Sequence, residues 1–215
     1  MRLWESRAFE PHQEVGRLVV VEGDPGAGKT SAIASACRST DVFGVPQLDH
    51  VAGTLQLVPF DPSYPEDWYV AAERARQAQI QQLLRLGHRV LQDRGVLSTL
   101  AFVYATTFGS HESGRVRRLL RRLTEGQGLI RPDLLVILSV DVRVGLQRRA
   151  MFRDSEQYRV WFDPEFLARY QEFYRVLAPR ALTCPTVVID TSSLSYNSVC
   201  RELVRSYSNW TAAIS

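Results

Sequence analysis

Apolar residues along this chain follow two rhythms. Short runs at RLVVVE (17–22), HRVLQD (88–93), PDLLVILSV (132–140) and PTVVID (185–190) centre on two or more adjacent apolar residues, and the first holds the β-branched run Val19, Val20 and Val21. Runs of this kind predict strands buried on both faces. FGVPQLD at 43–49 predicts a further strand ending near Asp49. Between these runs the spacing becomes helical. From Pro65 to Gly87, the residues Trp68, Ala72, Ala75, Leu83 and Leu86 share one face, and Gly87 suits the end of the helix. Helices are also predicted for KTSAIASACRS at 29–39 and over 97–108, 114–123, 142–153, 164–178 and 195–207. LVPFDPSYP, with three prolines, predicts a loop. Strands alternate with helices five times over, which predicts a parallel sheet covered on both faces, a three-layer α/β domain. Residues 1–16 read as a polar lead-in and 17–215 as one domain.

Composition narrows the function classes. Hydrophobic residues make up 45% and charged residues 23%, as in ordinary globular proteins. A net charge of +3 is too small to imply a nucleic-acid partner by itself. The basic helix with Arg115, Arg117, Arg118, Arg121 and Arg122 reads as a solvated face over Val116, Leu119, Leu120 and Leu123. No apolar run approaches the ~18 residues of a membrane span, and MRLWESRAFEPHQE has no apolar signal core. Cys37, Cys184 and Cys200 are odd in number and widely spaced, with no zinc or disulfide framework, which suits a reducing cytoplasm. One feature is unusual: of 26 basic residues only Lys29 is a lysine.

That lysine lies in Gly23-Asp24-Pro25-Gly26-Ala27-Gly28-Lys29-Thr30, a complete G-x-x-x-x-G-K-[ST] loop between a predicted strand and a predicted helix, followed by Ser31 in the first helical turn. Glycines let the backbone N–H groups turn toward phosphate oxygens, and the helix N-terminus adds positive potential. Thr30 offers a hydroxyl to Mg²⁺. Lys29 must reach phosphates through a crowded loop, where a compact ammonium fits and a planar guanidinium does not. A drift toward arginine is tolerable on a surface and harmful here. The loop points to a nucleoside triphosphate. It does not say whether the chain is a kinase, a switch or a motor.

DRGVLSTLAF at 93–102 resembles the DRY-x-x-S-x-x-A-Y segment of thymidylate kinases. AAERARQAQIQQLLRLGHRVLQDR resembles the preceding A-x-R…L-x-x-G-x-x-V-x-x-DR stretch, RPDLLVILSVDVRVGLQRRAMFRD the PDL strand and arginine-bearing lid, and VVIDTSSLSYNSV the closing strand and last helix. The resemblance runs from about Arg17 to Val204. It implies a P-loop kinase fold, with ATP and Mg²⁺ as cofactors, a lid near residues 143–160, and a small nucleoside- or nucleotide-like acceptor. No membrane or nucleic-acid partner is expected, and a homodimer is left open. Asp93 is expected to hold Mg²⁺ through water or to accept an acceptor proton. Arg94 and Arg74 are expected to face the acceptor, Arg148, Arg149 and Arg153 to close over the transferring phosphate, and Phe102 and Tyr104 to line the pocket, with core packing the other reading of Phe102.

Departures from the family cluster on the acceptor side. Where it has REPGG, this chain has Leu48-Asp49-His50-Val51-Ala52-Gly53. The DRY tyrosine is Gly95, the polar residue after the AY pair is Val103, and the loop's acid is Asp24, with Pro25 where the family often has Asp or Glu. The strand-end Asp is Ser139, with Asp141 two residues on. Loss of a cation at Leu48 and gain of a carboxylate at Asp49, followed by His50, favour an acceptor that presents a hydroxyl, with Asp49 or Asp93 as base, while Arg74 and Arg94 together suit a phosphate. A kinase for a hydroxyl of another small molecule, such as an antibiotic or specialised metabolite, and a nucleotide-dependent switch with no acceptor are the alternative readings.

Overall fold

The computed structural model describes residues 9–11, 16–48, 65–108, 114–125, 129–154, 156–178 and 184–213. Its centre is a five-stranded parallel sheet. The elements in chain order are β1 (Phe9–Pro11), β2 (Arg17–Gly23), α1 (Lys29–Ser39), β3 (Phe43–Val45), α2 (Pro65–Arg85), β4 (Arg89–Asp93), α3 (Val96–Thr107), α4 (Arg115–Thr124), β5 (Leu129–Arg131), β6 (Leu134–Ser139), α5 (Val142–Arg148), α6 (Pro164–Glu172), β7 (Thr186–Asp190) and α7 (Tyr196–Ala213). The sheet runs β3-β4-β2-β6-β7. All five expected strands pair in it, with Val21 opposite Asp93 and Gly23 opposite Leu138. From β2 the chain goes first to β3 and β4 on one side of it and then crosses to β6 and β7 on the other. Such a switch point opens a crevice at the C-terminal strand ends.

The run in β2 is continuously apolar because both of its faces are covered. Leu18 and Val20 pack with Val90, Leu135 and Ile137 under α2, α3, α4 and α6. Val19 and Val21 pack with Leu91, Leu134 and Val136 under α1 and α7. Asp133 pins the entry to β6, since the Leu18 amide donates to Asp133 Oδ2 at 2.8 Å and the Asp133 amide returns to the Leu18 carbonyl at 2.9 Å.

Several boundaries differ from the sequence reading, each for a local reason. β3 stops at Val45 because Pro46 has no N–H to give the ladder. Residues 9–11, read as lead-in, form β1, paired parallel with β5 as a separate two-stranded sheet. The helix expected over 142–153 is divided. Asp141 caps α5 by accepting from the Arg143 and Val144 amides, and 3₁₀ turns at Ala150–Phe152 and Glu156–Phe162 follow. The helix expected over 164–178 begins as α6 behind the Asp163 cap and widens into a π-turn at Phe173–Leu177, where Phe173 and Tyr174 are buried. α7 runs on to Ala213.

Gly23 ends β2 at φ 119°, and a Cβ there would lie 2.1 Å from the Leu138 carbonyl oxygen. Gly23→Ala must therefore displace backbone as well as hold a strained φ. A stability loss of about 3 kcal/mol or more is expected, read from the midpoint of a urea unfolding curve.

Candidate functional site

The loop between β2 and α1 turns on three left-handed glycines, Gly23, Gly26 and Gly28. The Asp24 amide donates to the Leu138 carbonyl at 2.9 Å and the Ala27 amide to the Asp24 carbonyl at 3.3 Å. A Cβ on Gly26 would sit 2.7 Å from the Gly145 carbonyl oxygen, so the loop is packed directly against α5. Pro25 and Ala27 are buried, while Thr30 and Ser31 are exposed at the start of α1. The Asp24 side chain turns inward: Oδ2 accepts from the Val140 amide at 3.0 Å and from Gln171 Nε2 at 3.1 Å. It thus ties the loop to the end of β6 and to α6. Burial raises its carboxyl above the usual range.

Lys29 is 4% exposed and folds back over its own loop, with Nζ donating to the Gly23 carbonyl at 2.9 Å and the Asp24 carbonyl at 2.5 Å. Burial first, and the Arg94 charge second, bring its ammonium down to about 7, against the pull of Asp93, Asp24 and Glu22. A strongly desolvated cation held only by carbonyls gains most when an anion arrives. Beside it, Thr30 Oγ1 donates to Asp93 Oδ2 at 2.6 Å. Asp93 is 1% exposed, and its Oδ1 is buried without a hydrogen-bond partner. A hydroxyl and a carboxylate with a spare oxygen, next to a phosphate loop, fit a Mg²⁺ that keeps most of its waters.

Arg94 follows Asp93 and, among the described residues, is the one non-glycine residue with positive φ, 57°. The strain costs about 1–2 kcal/mol. It turns the side chain back under the loop, where Nη1 donates to Ser98 Oγ at 3.1 Å, to Tyr170 Oη at 3.0 Å and to the Gly23 carbonyl at 3.4 Å, and Nε donates to Gln47 Oε1 at 3.2 Å. Burial works against its charge, but the hydroxyls of Tyr170 and Tyr174 and the carboxylates of Glu22 and Asp93 outweigh burial and hold the proton more firmly than usual.

Arg74 is not brought to this cluster. It is exposed, and its Nη2 donates to the carbonyls of Arg122 at 2.6 Å and Glu125 at 3.0 Å, closing the C-terminal end of α4. The α2 arginine at the site is Arg76, two residues on. It is 1% exposed and paired with Glu73 at 2.5 Å, and it donates to the Asp93 carbonyl at 3.3 Å and the Pro46 carbonyl at 3.4 Å. A register slip of two residues puts the wrong arginine on the inner face of a helix, since i and i+2 point apart.

The three arginines beyond β6 have separate fates. Arg148 clamps the phosphate loop to the β7–α7 turn, donating to the carbonyls of Gly26 at 3.3 Å, Thr191 at 2.7 Å and Leu194 at 3.1 Å. The Arg149 guanidinium lies over Trp161 and Phe162, 5.8 and 5.6 Å from the ring centres. Arg153 is exposed. Phe102 stacks at 5.5–5.6 Å with Phe166 and Trp161, and Tyr104 lies 5.4 Å from Phe108 and 5.8 Å from Phe173. Both rings are half-buried in the α3–α6 core. Asp49 and His50 lie outside the described residues. Leu48 is buried against Ala72, with Trp68 and Tyr69 packed on the same cluster, so at this position the chain makes core.

Sequence reasoning passed over Glu22, Glu73, Arg76, Tyr170, Gln171 and Tyr174. The signal for Glu22 was present: a carboxylate inside a strand buried on both faces needs partners. Gln171 and the two tyrosines carry no such mark, because only the packing of α6 on the sheet brings them here.

The chain is similar to known proteins over most of its length. A sequence model of the thymidylate kinase family matches residues 56–202. A thymidylate kinase of Halalkalibacterium halodurans is 29% identical over 207 residues, which is 88% of this chain and 95% of that protein. A thymidylate kinase of Geobacter sulfurreducens is 33% identical over 162 residues, covering 66% of this chain and 72% of its own. Among solved structures, a thymidylate kinase from Candida albicans superposes with a TM-score of 0.67 at 18% identity, over 91% of this chain and 93% of that one.

The lowered Lys29 ammonium gives a pH test. The folded chain releases this proton near pH 7, whereas an unfolded lysine holds it to about 10.5. Between those values the unfolded state binds more protons, so stability rises with pH. Relative to Lys29→Met, the wild type should gain about 1.4 kcal/mol per pH unit between about pH 8 and pH 10. Chemical unfolding of both proteins across that range measures it. A constant difference would mean that Lys29 keeps its proton.

Proposed function

The chain belongs to the thymidylate kinase family, and from that premise we propose that it uses ATP and Mg²⁺ to phosphorylate thymidine monophosphate. It is an ATP-dependent kinase, a transferase of phosphoryl groups to nucleotide-like acceptors. The observation that carries the finer reading is the pairing of Thr30 with Asp93 beside Lys29, at the ends of adjacent strands of a switch-point crevice. The N–H groups of the glycine loop and Lys29 receive the ATP phosphates. Thr30 and Asp93 would hold Mg²⁺, which when bound would neutralise charge on the phosphates. Arg94 faces the acceptor phosphate from the other side of Gly23. An acceptor oxygen then forms a bond to the γ-phosphorus as the bond to the β–γ bridging oxygen breaks, and ADP leaves.

The segment from α5 to Phe162 serves as the lid of a domain that spans residues 17–215. Arg153 is its free-standing cation, Arg149 is held ready by Trp161 and Phe162, and Arg148 is the hinge-side clamp. Phe102 and Tyr104 act from behind, as the packing that shapes the pocket wall. Half of the motive for a hydroxyl acceptor, the missing cation at Leu48, has a packing explanation, since Leu48 is buried against Ala72 of α2; the other half, Asp49, lies outside the described residues. The relatives are named as kinases of thymidylate, which favours neither a hydroxyl acceptor nor a switch. No helix among the described residues is long and apolar enough to cross a membrane.

The test is to offer ATP and Mg²⁺ with thymidine monophosphate, the other monophosphates, thymidine and unrelated hydroxyl compounds, and to identify products by mass. Thymidine diphosphate should dominate, and Asp93→Asn should lower kcat by about 100-fold or more while leaving the melting temperature within a few degrees. Turnover of thymidine with none of its monophosphate would overturn the acceptor assignment.

Lys29→Arg keeps the charge and changes reach and shape. It should lose most turnover with an intact melting curve. Near-normal turnover would show that an ammonium is not needed there.

A further inference from the structure

Glu22 is 0% exposed, at the penultimate position of β2, and no reaction step described so far uses it. All its contacts are donors. Oε1 accepts from the Gly95 amide at 2.7 Å and the Ser98 amide at 3.2 Å. Oε2 accepts from Ser98 Oγ at 2.5 Å and Tyr174 Oη at 2.8 Å. α3 begins after Gly95, which has no side chain to cap it, so a carboxylate from the neighbouring strand caps the helix instead.

The same contacts set the direction of hydrogens further out. Ser98 and Tyr174 spend their only hydroxyl protons on Glu22. Their remaining lone pairs face the interior. Ser98 Oγ then accepts from Arg94 Nη1 at 3.1 Å. Tyr170 Oη lies 3.4 Å from Tyr174 Oη and accepts from the same Arg94 Nη1 at 3.0 Å. Protons thus point one way through the cluster, from Arg94 toward Glu22. Arg94 can only donate, so it needs a surround of acceptors, and a buried guanidinium also needs a carboxylate nearby. Burial pushes the Glu22 carboxyl up, while Ser98, the Arg94 charge, the Gly95 amide and Tyr174 hold it down.

We propose that Glu22 is a positioning residue for Arg94: as an acceptor-only carboxylate it orients Ser98, Tyr174 and Tyr170 so that the guanidinium meets oxygen lone pairs alone and is held in one orientation toward the acceptor. The catalytic part of this inference rests on the kinase reading. The geometric part does not. Glu22→Gln separates positioning from capping. The amide oxygen can still accept from the Gly95 and Ser98 amides, but the NH₂ group must donate to Ser98 and Tyr174, whose protons then turn away from residue 22 onto each other (3.0 Å apart), onto Tyr170 or toward Arg94, so the ring of lone pairs around the guanidinium is broken.

The experiment uses the full chain and two readouts. The first is ¹⁵N NMR of the arginine guanidinium groups, with the Arg94 signal assigned by its loss in Arg94→Lys. In Glu22→Gln, rotation of the Arg94 guanidinium should speed up at least tenfold while the melting temperature stays within a few degrees. The second is steady-state kinetics with ATP and thymidine monophosphate. The acceptor KM should rise at least tenfold and the ATP KM less than twofold, and in an Arg94→Lys background Glu22→Gln should change either value less than twofold. Unchanged rotation, or the same kinetic factor with and without Arg94, overturns the proposal. Should Glu22→Gln fail to fold, Tyr174→Phe removes one arm without touching the cap, and a rotation two- to threefold faster supports the proposal where no change sinks it. A wild type that ignores thymidine monophosphate defeats the acceptor assignment, and the NMR comparison still decides the role of Glu22.

Discussion

The amide of Asp24 donates to the carbonyl of Leu138 at the point where β2 leaves the sheet, and the site is built outward from that bond. It fixes the last residue of the central strand. It also forces Gly23 into a backbone conformation and a closeness to β6 that only glycine tolerates. From there the loop can go only forward over the strand ends, and Lys29 lies back across it onto the carbonyls of Gly23 and Asp24. The same carbonyl of Gly23 receives Arg94 from the other side. One strand terminus thus sets the spacing between the Lys29 ammonium and the Arg94 guanidinium, which reach the Gly23 carbonyl from opposite sides.

Three cations are buried or nearly so around these strand ends, Lys29, Arg94 and Arg76, among the carboxylates Glu22, Asp24, Glu73 and Asp93. Isolated charges at such depth would be far too costly, and pairing brings them near balance without large net gain. The arrangement is therefore poor evidence for stability and good evidence for function. It leaves two carboxylate oxygens, on Asp24 and Asp93, buried without a partner. It also leaves a lysine whose proton is weakly held until an anion arrives. A site tuned for a polyphosphate with its cation has this character before either is present.

The sheet and the phosphate loop were legible in the sequence because each is written locally. Short apolar runs bounded by turn formers and alternating with helical spacing cannot be read as much else, and the glycine spacing of 23–30 encodes a backbone path. The closeness of Thr30 and Asp93 beside the loop followed from them. The placement of the α2 arginines did not, because it depends on which side of a helix faces inward. Arg74 and Arg76 differ by two positions on α2, and only the packing of Ala72 and Ile80 into the core decides that Arg76 points at Asp93 and Arg74 at the end of α4. Leu48 shows the converse. A missing cation looked like altered chemistry and is a core residue. The arginines after β6 looked equivalent in sequence, yet a capped helix followed by 3₁₀ turns sends one to backbone carbonyls and another onto aromatic rings.

Helix α3 takes the cap of its first turn from Glu22, 73 residues before the Gly95 amide that it holds. A helix that carries its own cap can start while its neighbours are still unfolded. One that borrows its cap from a strand must wait until that strand is seated, and closing a loop of this length costs entropy before any contact repays it. β2 is itself paired on both sides only with distant segments. The start of α3 is therefore tied to the seating of β2, and the corner that holds Arg94 depends on contacts from both ends of a 73-residue span.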